Sequence, residues 1–253
     1  MTKSPDYPKF LMKKLLAVFF LITIVTFGGF ILWAGIAAVP GPAAMLALQS
    51  DQQVVITDRN IYITFEPANL QPSTGLIFYP GGRVDYRAYA PILRQIAAQG
   101  YLVAVVPARL NLAFFSIEAG EPVLSDFPQI KVWAVGGHSL GGVAASYFAE
   151  KHPQVRGIIF LASYPADDKL KNSDTQMLSI YGSNDGLASG AMIEQNKTLM
   201  PASAQFSLIP GGNHAQFGDY GPQFGDNPAT IAPEEQWQQT TDATVVFLQS
   251  LSH

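Results

Sequence analysis

Apolar positions follow two distinct regimes along this chain. From residue 15 to residue 39 they form an almost unbroken run, preceded by Lys3, Lys9, Lys13 and Lys14 and ended by Pro40-Gly41-Pro42. At about 1.5 Å per helical residue, such a run crosses a hydrocarbon core of about 30 Å. A cleaved secretory leader carries a shorter apolar stretch of about 7–15 residues, so an uncleaved transmembrane signal-anchor is expected at 15–39, with export after cleavage as the alternative. All four lysines precede the span. The positive-inside rule therefore places residues 1–14 in the cytoplasm as a short tail and the rest of the chain on the extracytoplasmic side of the cell membrane. Residues 40–50, rich in proline and small residues, read as a linker.

Beyond residue 50 the pattern breaks into short elements. Residues 53–57 and 61–65, separated by Asp58-Arg59-Asn60, predict an antiparallel hairpin. Strand-type apolar runs follow at 76–79, 101–106, 132–135, 157–161, 177–181 and 205–209, with helix-type stretches between most of them. The stretch 91–99 starts on Pro91 and stops before Gly100, and the final helix opens with Pro233-Glu234-Glu235, proline and acids in the first turn. This alternation predicts an α/β domain over 51–253: a mostly parallel sheet with helices on both faces and the antiparallel hairpin at its start. Residues 163–175 are too short and polar for a large cap, so only a minimal cover is expected. Residues 107–115, with Leu110, Leu112, Phe114 and Phe115, predict a short helix packed on the core, the alternative being an acyl-pocket lining.

The most informative switch lies within Val135-Gly136-Gly137-His138-Ser139-Leu140-Gly141-Gly142, where a strand breaks into glycines and a helix-compatible stretch, 143–150, begins. Gly137-x-Ser139-x-Gly141 is a nucleophile-elbow pattern, which lifts a serine hydroxyl clear of a sheet on a tight turn. The same corner leaves the Leu140 N–H at a helix start, where an oxyanion is favoured. Serine needs a base, and of the four histidines His214 alone follows a strand on a loop that reaches across the sheet; His138 sits in the elbow, His152 after the helix and His253 at the end. Asp185 ends the run 177–181 plus Gly182-Ser183-Asn184 and supplies the acid. Ser139, Asp185 and His214 stand in the chain order Ser, Asp, His.

On these residues the chain resembles the α/β-hydrolase family over about 54–251. It is most similar to a bacterial dienelactone-hydrolase-like, esterase-like branch, through Tyr79-Pro80-Gly81-Gly82, Gly137-His138-Ser139-Leu140-Gly141-Gly142 and Gly211-Gly212-Asn213-His214-Ala215-Gln216-Phe217-Gly218. The resemblance implies the α/β-hydrolase fold and a serine hydrolase of esters or related acyl compounds. It gives Gly82 as the second oxyanion donor beside Leu140, with Arg83 as the alternative. Pro80 stands where relatives often carry histidine. Arg83 and Tyr86 are candidate substrate contacts, the alternative being a solvated loop surface. A lipase or thioesterase, or a non-catalytic binding protein of this fold, remain the competing readings.

Composition narrows the partners. The chain carries a net charge of −4, but residues 1–39, with four lysines and one aspartate, contribute +3, so the remainder carries −7. An acidic domain without basic runs argues against nucleic acid and leaves a small-molecule substrate. Cysteine is absent, which excludes disulfides and thiolate metal sites. The glycine-rich stretch 218–226, with Asp219 and Asp226, lacks the ligand spacing of a calcium loop. Neither a metal nor any other cofactor is expected, and the sequence leaves the oligomeric state open.

Overall fold

The computed structural model describes residues 7–251, with side chains from residue 11 onward, and the chain divides into two compact units, Met1–Ile36 and Ala37–His253. Lys3, the side chain of Lys9, and His253 lie outside the described residues. Among the described residues the first unit is a single helix, α1 (Tyr7–Gly35), whose candidate span Leu11–Gly35 has a mean hydropathy of 2.7. Its threonines bond back onto their own helix, Thr23 Oγ1 to the Phe19 carbonyl at 2.9 Å and Thr26 Oγ1 to that of Ile22 at 2.7 Å. Hydroxyls satisfied in this way suit an apolar surrounding.

The helix stops at Gly35, four residues before the expected boundary at 39. Val39 precedes Pro40, a position that disfavours helix. Ala38 is held in the second unit, where its N–H donates to the Arg83 carbonyl (2.8 Å) and its carbonyl accepts from the Asp85 N–H (3.0 Å). The stretch 40–50, expected as a linker, carries helix α2 (Pro42–Ala47) with Ala44 and Ala47 buried. Asp219 receives it: the Gly41 N–H donates to the Asp219 carbonyl (2.7 Å) and the Ala44 N–H to its carboxylate (2.8 Å). A chain beginning at Ala37 is expected to keep the three backbone bonds that tie Ala38 and Gly41 to Arg83, Asp85 and Asp219, and one beginning at Ala43 to lose them. At about 1 kcal/mol each, thermal unfolding should place the shorter chain roughly 6–12 °C lower.

The second unit is an α/β sheet of order β1-β2-β4-β3-β5-β6-β7-β8. Its strands are β1 (Val54–Asp58), β2 (Ile63–Pro67), β3 (Thr74–Tyr79), β4 (Leu102–Val105), β5 (Val132–His138), β6 (Val155–Leu161), β7 (Gln176–Gly182) and β8 (Gln205–Ile209). The expected hairpin is present: β1 and β2 pair antiparallel, β2 pairs antiparallel with β4, and the other pairings are parallel. After β3 the chain steps outward to β4 and then returns to the other side of β3 with β5. That reversal is a topological switch point, and it opens a crevice at the carboxyl ends of β3 and β5.

The central strands β3, β4 and β5 are buried along nearly their whole length because helices cover both faces. Leu76 and Phe78 of β3 join a core with α3 (Ala90–Ala98) and α7 (Pro233–Ser250); Ile77 and Tyr79 face the opposite core with α5 (Leu140–Lys151) and α4 (Glu121–Asp126). In α7 the buried residues Trp237, Thr240, Thr241, Thr244, Phe247 and Leu248 recur at helical spacing on one face. Helix α6 (Gly190–Asn196) lies between β7 and β8 in the chain, whereas residues 162–175 contain neither helix nor strand.

Residues 107–115 depart from expectation. They form 3₁₀ turns, Arg109–Asn111 and the start of Ala113–Gly120, separated by the extended Leu112, with Leu110 and Asn111 at φ of 53° and 52°. Ala113 is buried, but Phe114 and Phe115 are exposed rather than packed on the core. Two successive left-handed residues break the helical register that would have turned both rings inward.

Candidate active site

Strand β5 and helix α5 meet at Ser139, which has φ 51° and ψ −121°. A non-glycine residue rarely adopts that conformation, and it holds only where neighbours fix it. The Ser139 N–H donates to the Leu161 carbonyl (2.9 Å), and its own carbonyl accepts from Ser163 Oγ (2.7 Å) and the Gly142 N–H (3.0 Å). Two glycines permit the corner. A Cβ on Gly137 would lie 2.3 Å from the Gly141 carbonyl carbon, and one on Gly141 would lie 2.3 Å from the Tyr79 carbonyl oxygen. Gly141→Ala is therefore expected to force the end of β3 away from α5 and to cost about 3 kcal/mol, read as a lower denaturation midpoint.

Asp185 and His214 come together from the loops after β7 and β8. His214 Nδ1 and Asp185 Oδ2 are 2.9 Å apart, and both side chains are buried. The other carboxylate oxygen, Oδ1, accepts from the Leu187 N–H (2.8 Å) and the Ala188 N–H (2.6 Å). Both oxygens of the Asp185 side chain thus face nitrogen donors. An acceptor at Nδ1 places the imidazole proton there and leaves Nε2 as the basic nitrogen.

The loop after β3 carries Gly81, Gly82 and Arg83 up to the elbow. A Cβ on Gly82 would stand 3.3 Å from Leu140 Cδ2 and 3.7 Å from Leu112 Cδ2, so Gly82 lies beside Leu140 under two leucine side chains. Among the described residues neither the Gly82 nor the Leu140 N–H donates a hydrogen bond. The Arg83 N–H, the alternative donor, is instead spent on the Asn111 carbonyl at 2.7 Å, with Arg83 at φ 59°. Tyr86 is half-buried against the α3 side of the core, where burial and then the Asp58 carboxylate push its phenol up.

Several residues that fix the site were not singled out in the sequence for that role. Asp226 spans the loops after β7 and β8, accepting from the Gly186 N–H at Oδ1 (3.0 Å) and from the Ala215 N–H at Oδ2 (2.9 Å). Gln236 of α7 grips the residue before His214 from both sides: its Oε1 accepts from the Asn213 N–H (3.0 Å) and its Nε2 donates to the Asn213 carbonyl (2.8 Å). The aspartates of 218–226 are thus engaged with backbone N–H groups. Their sequence signal was that of ordinary turn residues, and only the tertiary fold reveals their partners. His152 is placed elsewhere, bonded to Glu118 Oε2 at 3.0 Å and stacked on Phe148.

The sequence profile described as "Alpha/beta hydrolase family" matches residues 75–238. No curated protein is significantly similar in sequence. Among solved structures, TT1662 from Thermus thermophilus aligns over 78% of this chain and 98% of its own, with a TM-score of 0.57 at 14% identity, a likeness of fold.

Proposed function

This chain belongs to the alpha/beta hydrolase family, and on that premise we propose that it is a serine hydrolase cleaving carboxylic esters or related acyl compounds. The observation that carries this reading is the buried Asp185–His214 pair at 2.9 Å, on the loops after β7 and β8 at the sheet edge where Ser139 follows β5. Tyr79-Pro80-Gly81-Gly82 and the Gly211–Gly218 segment support a place in the dienelactone-hydrolase-like, esterase-like branch.

In the proposed reaction His214 Nε2 takes the proton of the Ser139 hydroxyl as Oγ attacks the acyl carbon. Asp185 holds the tautomer and stabilises the imidazolium that forms. The negative oxygen of the tetrahedral intermediate rests on the Leu140 and Gly82 N–H groups, at the positive end of α5. Collapse breaks the bond to the leaving alkoxide, which receives the proton from His214. Water then repeats the sequence on the acyl-enzyme, releasing the acid and restoring Ser139. With Leu112 and Leu140 flanking Gly82, an uncharged acyl group suits the site best.

Helix α1 is proposed to be a single-pass signal-anchor that holds the catalytic unit on the extracytoplasmic face, the lysines before it remaining inside. The test is fluorophosphonate labelling of the full chain in detergent micelles, with the labelled peptide mapped by mass spectrometry, beside hydrolysis of p-nitrophenyl esters of increasing chain length. A single adduct on Ser139 with ester turnover is the expected result. A folded chain that neither labels nor turns over would leave a binding protein of this fold as the better reading. A rate that climbs with acyl length would assign a lipase.

A further inference from the structure

His138 and Tyr89 are buried polar side chains that the proposed reaction does not use, each 1% exposed or less. They come from different elements, the end of β5 and the start of α3, and meet at the oxyanion loop. Tyr89 Oη accepts from the Gly81 N–H at 2.9 Å and lies 2.8 Å from His138 Nδ1. The Gly81 N–H takes one lone pair of the tyrosine oxygen, and among the described residues His138 Nδ1 is the acceptor within reach of its hydroxyl, so the proton goes to His138 Nδ1 and the imidazole carries its own on Nε2. Gly81 makes the junction possible, because a Cβ there would stand 2.6 Å from His138 Nδ1 and 2.8 Å from Tyr89 Oη. On the far side the His138 ring packs on the His214 ring, with centroids 4.5 Å apart, backed by Phe217 at 5.8 Å and Tyr220 at 6.4 Å.

We propose that Tyr89 and His138 form a buried pin that fixes the oxyanion loop against the elbow and the ring of His214, acting as positioning residues for the Gly82 N–H and for the base. The proposal rests on the serine-hydrolase reading of the same site. A phenol and an imidazole buried together are stabilising only while each satisfies the other, so the pair holds one relative placement of loop and elbow. Burial, and then the neighbouring His214, keep His138 well below the ordinary imidazole range, and burial pushes the Tyr89 phenol up. His138 therefore stays neutral and places no second cation against the charge that His214 acquires during turnover. Its Nε2 completes no hydrogen bond, although the His214 backbone lies near enough to favour the proton there.

The test uses the full chain in micelles and four variants: Tyr89→Phe, His138→Leu, His138→Asn and the double Tyr89→Phe/His138→Leu. Amide exchange in the peptide spanning Gly81 and Gly82 should rise in Tyr89→Phe while that of β8 stays unchanged. With p-nitrophenyl acetate, Tyr89→Phe and His138→Leu are each expected to lower kcat by about 10- to 100-fold, part of the 10²–10³ that one oxyanion donor contributes, with KM within about twofold. The double variant should lose clearly less than the product of the two single losses, since both singles remove the Tyr89–His138 bond. His138→Asn, whose Oδ1 can accept from Tyr89, should recover most of the loss. Multiplying losses in the double variant, or no recovery with asparagine, would overturn the pin. Unchanged exchange at Gly81 and Gly82 would overturn it even if the chain hydrolyses esters. A wild-type chain inert toward esters, with exchange still responding to Tyr89→Phe, would instead overturn the hydrolase reading and leave the loop pin standing.

Discussion

Alanine in place of Ser139 is expected to remove ester turnover, with kcat falling on the order of 10⁶-fold, and to leave the fold intact. The hydroxyl is not part of the scaffold: the contacts that hold the corner run through the Ser139 backbone, to Leu161, Ser163 and Gly142. Alanine keeps those contacts and loses the nucleophile. Adding His214→Ala to Ser139→Ala should cost almost nothing further, because base and nucleophile act on one proton. The corner itself offers a second readout. At φ 51° and ψ −121° Ser139 is strained, whereas glycine adopts this region freely. Ser139→Gly should therefore be as inactive as Ser139→Ala and yet more stable, by about 1 kcal/mol once the greater entropy of unfolded glycine is deducted. Residual turnover above one part in a thousand in a chain lacking the hydroxyl would assign the chemistry to another group.

What the sequence disclosed about this site was local, and what it withheld was not. The elbow is a run of adjacent residues whose spacing is itself the signature: Gly137 answers a clash with Gly141 four residues on, although the clash that Gly141 answers, with Tyr79 of β3, is set by the fold. Asp185 and His214 were legible because parallel strands deliver their following loops to one edge, and the strands themselves were evident as apolar runs. Asp226 was invisible as a tie between two loops, since its partners Gly186 and Ala215 are set by how the loops fold back. The Tyr89–His138 contact joins residues 49 apart and has no periodic signature at all. At the start of the second unit the difficulty was different. Proline and small residues in 40–50 suit a linker, but the same smallness lets Ala44 and Ala47 bury while the Asp219 carboxylate approaches Gly41 closely. The apolar run continued to 39 by composition, although Ala38 pairs with Val84 in the loop after β3. The loop 107–115 misled because Leu110 and Asn111 adopt left-handed backbone, a conformation that no hydrophobic pattern encodes.

Asp185→Asn is expected to lower kcat about 10⁴-fold with little change in KM, and the surroundings of the carboxylate say why so small a change should cost so much. Oδ1 faces two backbone donors, the N–H groups of Leu187 and Ala188, and Oδ2 faces His214 Nδ1. An asparagine at this position has one acceptor and one donor to distribute between those two sides. Turning its NH₂ toward Leu187 and Ala188 would set donors against donors in a buried position, so its oxygen must take that side. The NH₂ then meets His214 and can pair only with an unprotonated Nδ1. The imidazole proton moves to Nε2, the nitrogen that would have accepted from Ser139, and the base is lost while the geometry is preserved. The imidazolium of the transition state also loses its counter-charge. Two measurements separate this from simple unfolding: the thermal midpoint should change little, and a ¹⁵N spectrum of the ring should show the proton transferred from Nδ1 to Nε2. A variant that kept turnover within tenfold of the parent would remove Asp185 from the mechanism. In that case the Asp185–His214 contact would have only a structural role, joining the loops that follow β7 and β8.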